Sequence, residues 1–191
     1  MHDDELEFCK RKRCLAVGGS PDENLDEAVR LLYPELKQLA RRQLSRYPRR
    51  PTLNTTEVVH EAYLRLQRAG SEWGDREHLL AIAARAMRHL LVDLSRARQA
   101  LKRGAGRPID EGVDVEQLRV ELPNGAAGLL DVHAALERLA EIDSRLVSVV
   151  ECRYFAGLTE NETAKALGIS VTTVRRDWKR ARAWISKKLG L

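Results

Sequence analysis

LTENETAKALGISVTTVRRDWKRARAWISKKL, residues 158–189, is the stretch from which the rest of the chain is read. Thr159 followed three residues later by Glu162 forms a capping box, in which each side chain satisfies a backbone N–H at the other position. A helix is therefore predicted to open there and to run to about Leu167. Gly168 supplies the positive φ that ends it, and Ser170 is placed to cap a second helix. In that second helix the apolar residues Val174, Trp178, Ala181 and Ile185 recur at alternating steps of four and three. Two helices joined by residues 168–170 have to cross steeply, which is the helix-turn-helix arrangement, with the second helix available to a DNA major groove.

The outward face of the second helix carries Thr172, Thr173, Arg175, Arg176, Lys179 and Arg180. Its arginines offer bidentate donors to guanine edges, and all four cations suit phosphates. A basic face on an amphipathic helix is often only solvated. Here capping box, glycine turn, second cap and basic face occur together, and the combination favours DNA binding.

Composition narrows the remainder. A chain of 191 residues with 32% charged and 43% hydrophobic residues is globular rather than disordered and has room for one or two small domains. The formal charge is +5. Cations concentrate in residues 85–107 and 165–188, while residues 110–121 are rich in acids, so two basic patches flank an acidic connector, as for a polyanion gripped at two places. Three cysteines, Cys9, Cys14 and Cys152, lack the paired spacing of a zinc site and suit a reducing compartment. No apolar run approaches the ~20 residues of a membrane span, and residues 1–16 have no signal-peptide core. The expectation is a cytoplasmic protein that acts away from the membrane, with neither cofactor nor metal.

Taken in order, residues 1–22 show little apolar periodicity and read as a poorly ordered or weakly docked lead-in. Leu25, Ala28, Val29, Leu32, Leu36, Leu39 and Ala40 then share a helical face that Pro34 interrupts, predicting one kinked helix or two helices meeting near Tyr33. After a break at residues 47–51, a helix opens at Asn54, Thr55 or Thr56, all good caps, and buries Val59, Ala62, Tyr63 and Leu66. Its other face carries Glu57, His60, Glu61, Leu64 and Arg65, where an exposed leucine among charges suits a partner contact. Trp73 lies in the following loop. A long helix from about Arg76 to Leu101 has a wide apolar face and a second face with Arg85, Arg88, His89 and Arg96, read as a surface for the nucleic-acid backbone. Residues 104–128 read as a linker, and further helices carry Val132, Leu136, Leu139 and Ala140, then Leu146, Val147, Val149, Val150 and Tyr154. The predicted fold is all-α, with two small helical domains joined by a flexible linker.

Two of these segments resemble a known family. RLVSVVECRYFAGLTENETAKALGISVTTVRRDWKRARAWI resembles region 4 of a bacterial sigma factor, the domain that reads the minus-thirty-five promoter element. TTEVVHEAYLRL followed by HLLAIAARAMRHLLVDLSRARQALKRG resembles region 2, which docks on RNA polymerase and opens the minus-ten element. Region 2 joined directly to region 4 is similar to the extracytoplasmic-function (ECF) group. The resemblance implies a lead-in at 1–22, a region 2 domain at 23–103, a linker at 104–128 and a region 4 domain at 129–191. It implies core RNA polymerase and promoter DNA as partners, the polymerase meeting Glu57, His60, Glu61, Leu64 and Arg65. It also implies a base-capturing loop in region 2, where Trp73 is the nearest aromatic, and a linker whose acids pass near the polymerase active centre. Where the group usually has several acids, this chain reads Asn54-Thr55-Thr56-Glu57. Phosphate on Thr55 or Thr56 would supply the missing charge, so control by a serine/threonine kinase stands beside control by an anti-sigma factor.

A free-standing helix-turn-helix regulator that dimerises through its N-terminal half is the alternative in a second class, and co-elution with core polymerase separates the two. Catalysis has little support. His60-Glu61 lacks the second histidine of a zinc-protease motif, since Leu64 stands there, and Gly104-Ala105-Gly106 lacks the strand and third glycine of a nucleotide fingerprint.

Overall fold

A computed structural model describes residues 21–45, 53–104 and 128–190. The lead-in 1–20, the break at 47–51 and the linker 105–127 lie outside the described residues. Among the described residues there is no strand. The helices are α1 (Pro21–Leu31), α2 (Tyr33–Ser45), α3 (Thr55–Arg68), α4 (Arg76–Gly104), α5 (Leu129–Ile142), α6 (Ser144–Val150), α7 (Glu160–Leu167) and α8 (Val171–Leu189), with a π-helical turn, Glu151–Phe155, following α6. Pro21 and Asp22, assigned by sequence to the poorly ordered or weakly docked lead-in, are the first residues of α1.

Local chemistry accounts for most boundaries. Pro34 is the second residue of α2, in the first turn, where a missing N–H costs no intrahelical bond. The chain accordingly divides at Leu32, whose N–H still bonds Ala28 and whose carbonyl accepts from Leu36, both at 2.9 Å. Asn54, rather than either threonine, caps α3: its Oδ1 accepts from the Thr56 and Glu57 amides at 2.9 and 3.0 Å, and its own N–H donates to Glu57 Oε2 at 2.6 Å. Asp143 ends α5 and caps α6, accepting from the Arg145 amide at 3.1 Å. In the π-helical turn the Ala156 amide reaches back five residues to the Glu151 carbonyl. Gly157 closes the turn at φ +70°, a left-handed conformation that favours glycine; a Cβ there would also have to displace the mobile end of the Arg42 side chain, which comes within 2.1 Å.

Helix α4 is the centre of the packing. It rests on α2 and α3 on one side and meets the π-helical turn, α7 and α5 on the other. One buried apolar cluster therefore runs from Leu36, Leu39, Val58 and Ala62 through Leu79, Ala83 and Met87 to Val150, Tyr154, Phe155 and Leu158. A smaller cluster of Val149, Ala164 and Val174 fixes α8 against α6 and α7. Not every residue of the predicted apolar stripes is buried: Val29, Leu32 and Val147 are half-buried at their edges. Ala140 is exposed and Tyr63 is only half-buried, its hydroxyl donating to Asp26 at 2.5 Å; a tyrosine at the edge of a stripe keeps its polar tip near water.

Candidate nucleic-acid interface

The turn between α7 and α8 is built by the residues that predicted it. Thr159 and Glu162 exchange hydrogen bonds, the Thr159 amide donating to Glu162 Oε2 at 2.8 Å and the Glu162 amide to Thr159 Oγ1 at 3.2 Å. These bonds hold the Glu162 carboxyl below its ordinary pKa. Gly168 adopts φ +64°, and Ser170 Oγ accepts from the Thr173 amide at 3.1 Å. Val174, Ala181 and Ile185 are buried, with Trp178 half-buried beside them.

This leaves Thr172, Arg175, Arg176, Lys179 and Arg180 exposed on one side of α8. Thr173 is half-buried, and its hydroxyl shares a 2.9 Å hydrogen bond with Ser170, so it serves the cap. Arg175 Nε donates to Glu160 at 2.6 Å across the turn. Arg176 and Arg180 lie over Asp177, a carboxylate with no exposed surface that the sequence reading passed over. Its signal was present: position 177 falls three residues after Val174 and four before Ala181, on the buried stripe.

The second basic stripe has a different fate. Arg88 is 3% exposed. Its guanidinium pairs with the buried Glu151 of the π-helical turn, lies 2.5 Å from His133 Nδ1 and 2.9 Å from His89 Nε2, and stacks 5.3 Å from the centre of the Phe155 ring. Arg85 Nε stands 3.8 Å from Glu151, and Arg96, still on the surface, is 3.9 Å from Glu137. Burial, reinforced by Arg88 and Arg85, pushes His89 down to about 2, and burial with Arg88 lowers His133 as well. Both imidazoles are thus neutral acceptors for Arg88, which leaves the His133 proton on Nε2, 3.3 Å from Glu137 Oε1. Further along the same junction Lys165 donates to Glu77 at 2.6 Å, Arg76 stands 3.6 Å from Glu162, and Arg42 donates to the Ala156 carbonyl at 3.0 Å.

On α3, Glu57 and His60 are exposed, while Glu61, Leu64 and Arg65 are half-buried. The leucine expected to stand exposed is therefore partly covered, and Arg65 is tied to Asp93 of α4 at 2.7 Å. Thr55 is half-buried and Thr56 exposed in the first turn. Trp73 is half-buried against the main core.

Among the described residues no cluster of three or more histidine, cysteine or acidic side chains is placed to hold a metal, and no helix is long and apolar enough to cross a membrane. Cys152 is buried, and burial raises its thiol well above the ordinary range, leaving it unreactive at neutral pH. No curated protein and no solved structure matched the chain. The family model described as ECF sigma factor matches residues 18–190, nearly the whole length, and together with the all-helical fold and the helix-turn-helix this places the chain in the ECF sigma factor family.

Proposed function

We propose that this sigma factor binds core RNA polymerase and directs it to a subset of promoters, with residues 129–191 reading the minus-thirty-five element and residues 23–103 docking on the polymerase and engaging the minus-ten element. The observation that supports this best is the α7–α8 pair, whose apolar stripe is buried and whose Thr172, Arg175, Arg176, Lys179 and Arg180 form an exposed basic face. That face suits a major groove: arginine forks read guanine edges and the remaining cations neutralise phosphates. In the N-terminal half, Glu57, His60, Glu61, Leu64 and Arg65 make the polymerase contact, while Trp73, Arg85, His89 and Arg96 serve the minus-ten DNA, joined by Arg88 only when it is released from Glu151 and His133. The chain works in the cytoplasm and performs no covalent chemistry.

Thr55 and Thr56 extend the proposal to regulation. With Asn54 as cap, neither hydroxyl is needed to start α3, and a phosphate on the exposed Thr56 would add about −1.5 to −2 charges at a helix N-terminus, where anions are favoured. A serine/threonine kinase would then supply the input, in place of an anti-sigma factor.

Run-off transcription with core polymerase over genomic promoters tests the reading. Discrete start sites that need both the chain and the polymerase are expected. Transcription unchanged when the chain is omitted, together with absence of co-elution with core polymerase, would refute it.

A further inference from the structure

Asp177 lies on the DNA-facing helix with its carboxylate fully buried. Oδ2 accepts from Arg145 Nε at 2.7 Å, and Oδ1 accepts from Arg176 Nε at 3.3 Å and stands 3.7 Å from Arg180 Nη1. Asp143, at the start of α6, lies 3.9 Å from both Arg145 and Arg180. The three arginine side chains nonetheless keep 45%, 62% and 54% of their surface exposed. An unrestrained arginine loses much rotamer freedom on binding, and a carboxylate beneath it removes part of that loss in advance. Because Arg145 and Arg176 hydrogen-bond Asp177 through Nε, their Nη groups can meet a second partner, Arg145 Nη2 standing 3.9 Å from Asp143 as well.

We propose that Asp177 is the positioning residue of the DNA-reading face, holding Arg176 and Arg180 for bases and joining Arg145, which lies outside the helix-turn-helix, to the same face as a phosphate contact. This rests on the DNA reading proposed above. Asp177→Asn keeps the side-chain shape, removes one negative charge and frees the arginines. Base preference should therefore fall while non-specific binding holds or rises, a split that loss of folding would not produce.

The test is selection of holoenzyme-bound duplexes from a randomised minus-thirty-five library, run beside salt titration on one fixed duplex and thermal melting. Asp177→Asn should flatten preference by roughly 10-fold at one or more positions, as expected for losing a bidentate contact, at undiminished non-specific affinity. Arg145→Ala, with thermal melting to establish that it stays folded after losing its bond to Asp177, should lower the slope of log affinity against log salt by about one. Wild-type preference in Asp177→Asn, or an unchanged slope in Arg145→Ala, would overturn the proposal. A wild-type holoenzyme with no preference at all would instead refute the DNA reading on which it stands.

The junction along α4 supports a second inference independently. Arg88, on the stripe assigned to DNA, is covered by the π-helical turn and α5, with His89 half-buried against His133 beside it, and Arg88 Nε is buried with no hydrogen-bond partner among the described residues. A buried arginine bound through only part of its donor set is a poor source of net stability. We infer that this junction is an autoinhibitory latch: the closed chain withholds the α4 stripe, and parting of the two halves frees it together with Glu77 and Lys165.

Glu151→Gln leaves Arg88 buried without its counter-charge, a loss that opening relieves. It should shift the closed-to-open ratio by at least roughly 100-fold. Small-angle scattering should show a larger radius of gyration with helical circular dichroism retained. The double variant Arg88→Met with Glu151→Leu, which replaces the pair by apolar groups, should stay compact. An unchanged radius in Glu151→Gln, or opening of both variants alike, would overturn the latch.

Discussion

Helices α4 and α8 look alike on paper, each with an apolar stripe and a run of arginines, yet they use the charge in opposite ways. On α8, Arg175, Arg176 and Arg180 remain more than half exposed, although each has an acidic neighbour. On α4, Arg88 is buried against Glu151, His133 and His89, and Arg85 is drawn toward the same carboxylate. The difference does not lie in residue type. It lies in what packs on the helix: α8 is covered on its apolar side alone, whereas α4 is enclosed by elements from both halves of the chain. What separates the two stripes is burial and not the presence of a carboxylate: the α8 arginines keep most of their surface in water beside their acidic neighbours, whereas Arg88 is enclosed with Glu151.

Substitution should separate the two helices sharply. Arg88→Ala strips the buried Glu151 of its partner and should cost about 3–5 kcal/mol of stability in denaturant unfolding of the full chain. Arg176→Ala should move stability by no more than about 0.5 kcal/mol. Equal losses from both would erase the contrast.

Acid should also distinguish them. His89 and His133 have pKa values lowered in the fold, so the unfolded chain binds more protons than the native one as pH falls through about 6.5. Stability contributed by the neutral imidazoles is complete above that value and is lost progressively below it. Melting temperature should therefore fall between pH 7.5 and 5.5, and replacing both histidines by glutamine should blunt that fall. The groups facing this pair are Arg88, Arg85, Arg65, Arg96, Glu137 and Glu151, so the same slope in the double variant would assign the effect to the carboxylates.

On the α8 side the expected effects are on binding. Arg176→Ala should weaken a preferred promoter by about 1–3 kcal/mol and relax choice at one base pair, as measured by competition binding of the holoenzyme; equal loss on all duplexes would reassign it to phosphate. A small, purely local effect is expected at the turn. Thr159→Ala removes the cap of α7 and should cost about 1 kcal/mol in thermal unfolding, leaving the α4 junction in place.

How much was legible depended on how far apart the interacting residues stand. The α7–α8 turn was readable because every partner in it is local: Thr159 with Glu162, Gly168 by its own backbone, Ser170 with Thr173. Asp177 was readable in principle, since its position on the apolar stripe marks it as buried, but not its bond to Arg145, 32 positions earlier. The π-helical turn was not anticipated: an extra residue rotates the face that follows by about 100°, but the segment it ends in is too short for that change of phase to show in the spacing. Leu64 shows the same limit on a smaller scale: periodicity put it on the outer face of α3, and packing left it half-covered.

By itself, then, the sequence determined the all-helical class, the helix-turn-helix and its basic outer face, since caps, glycine turns and apolar spacing act within a few residues. Only the tertiary structure decided that Arg88 would be buried while Arg176 stayed in water. Arg88 meets Glu151 across 63 positions and His133 across 45. Whether a charge is solvated or paired is settled by which surfaces come together, and local spacing holds no record of a partner so far along the chain.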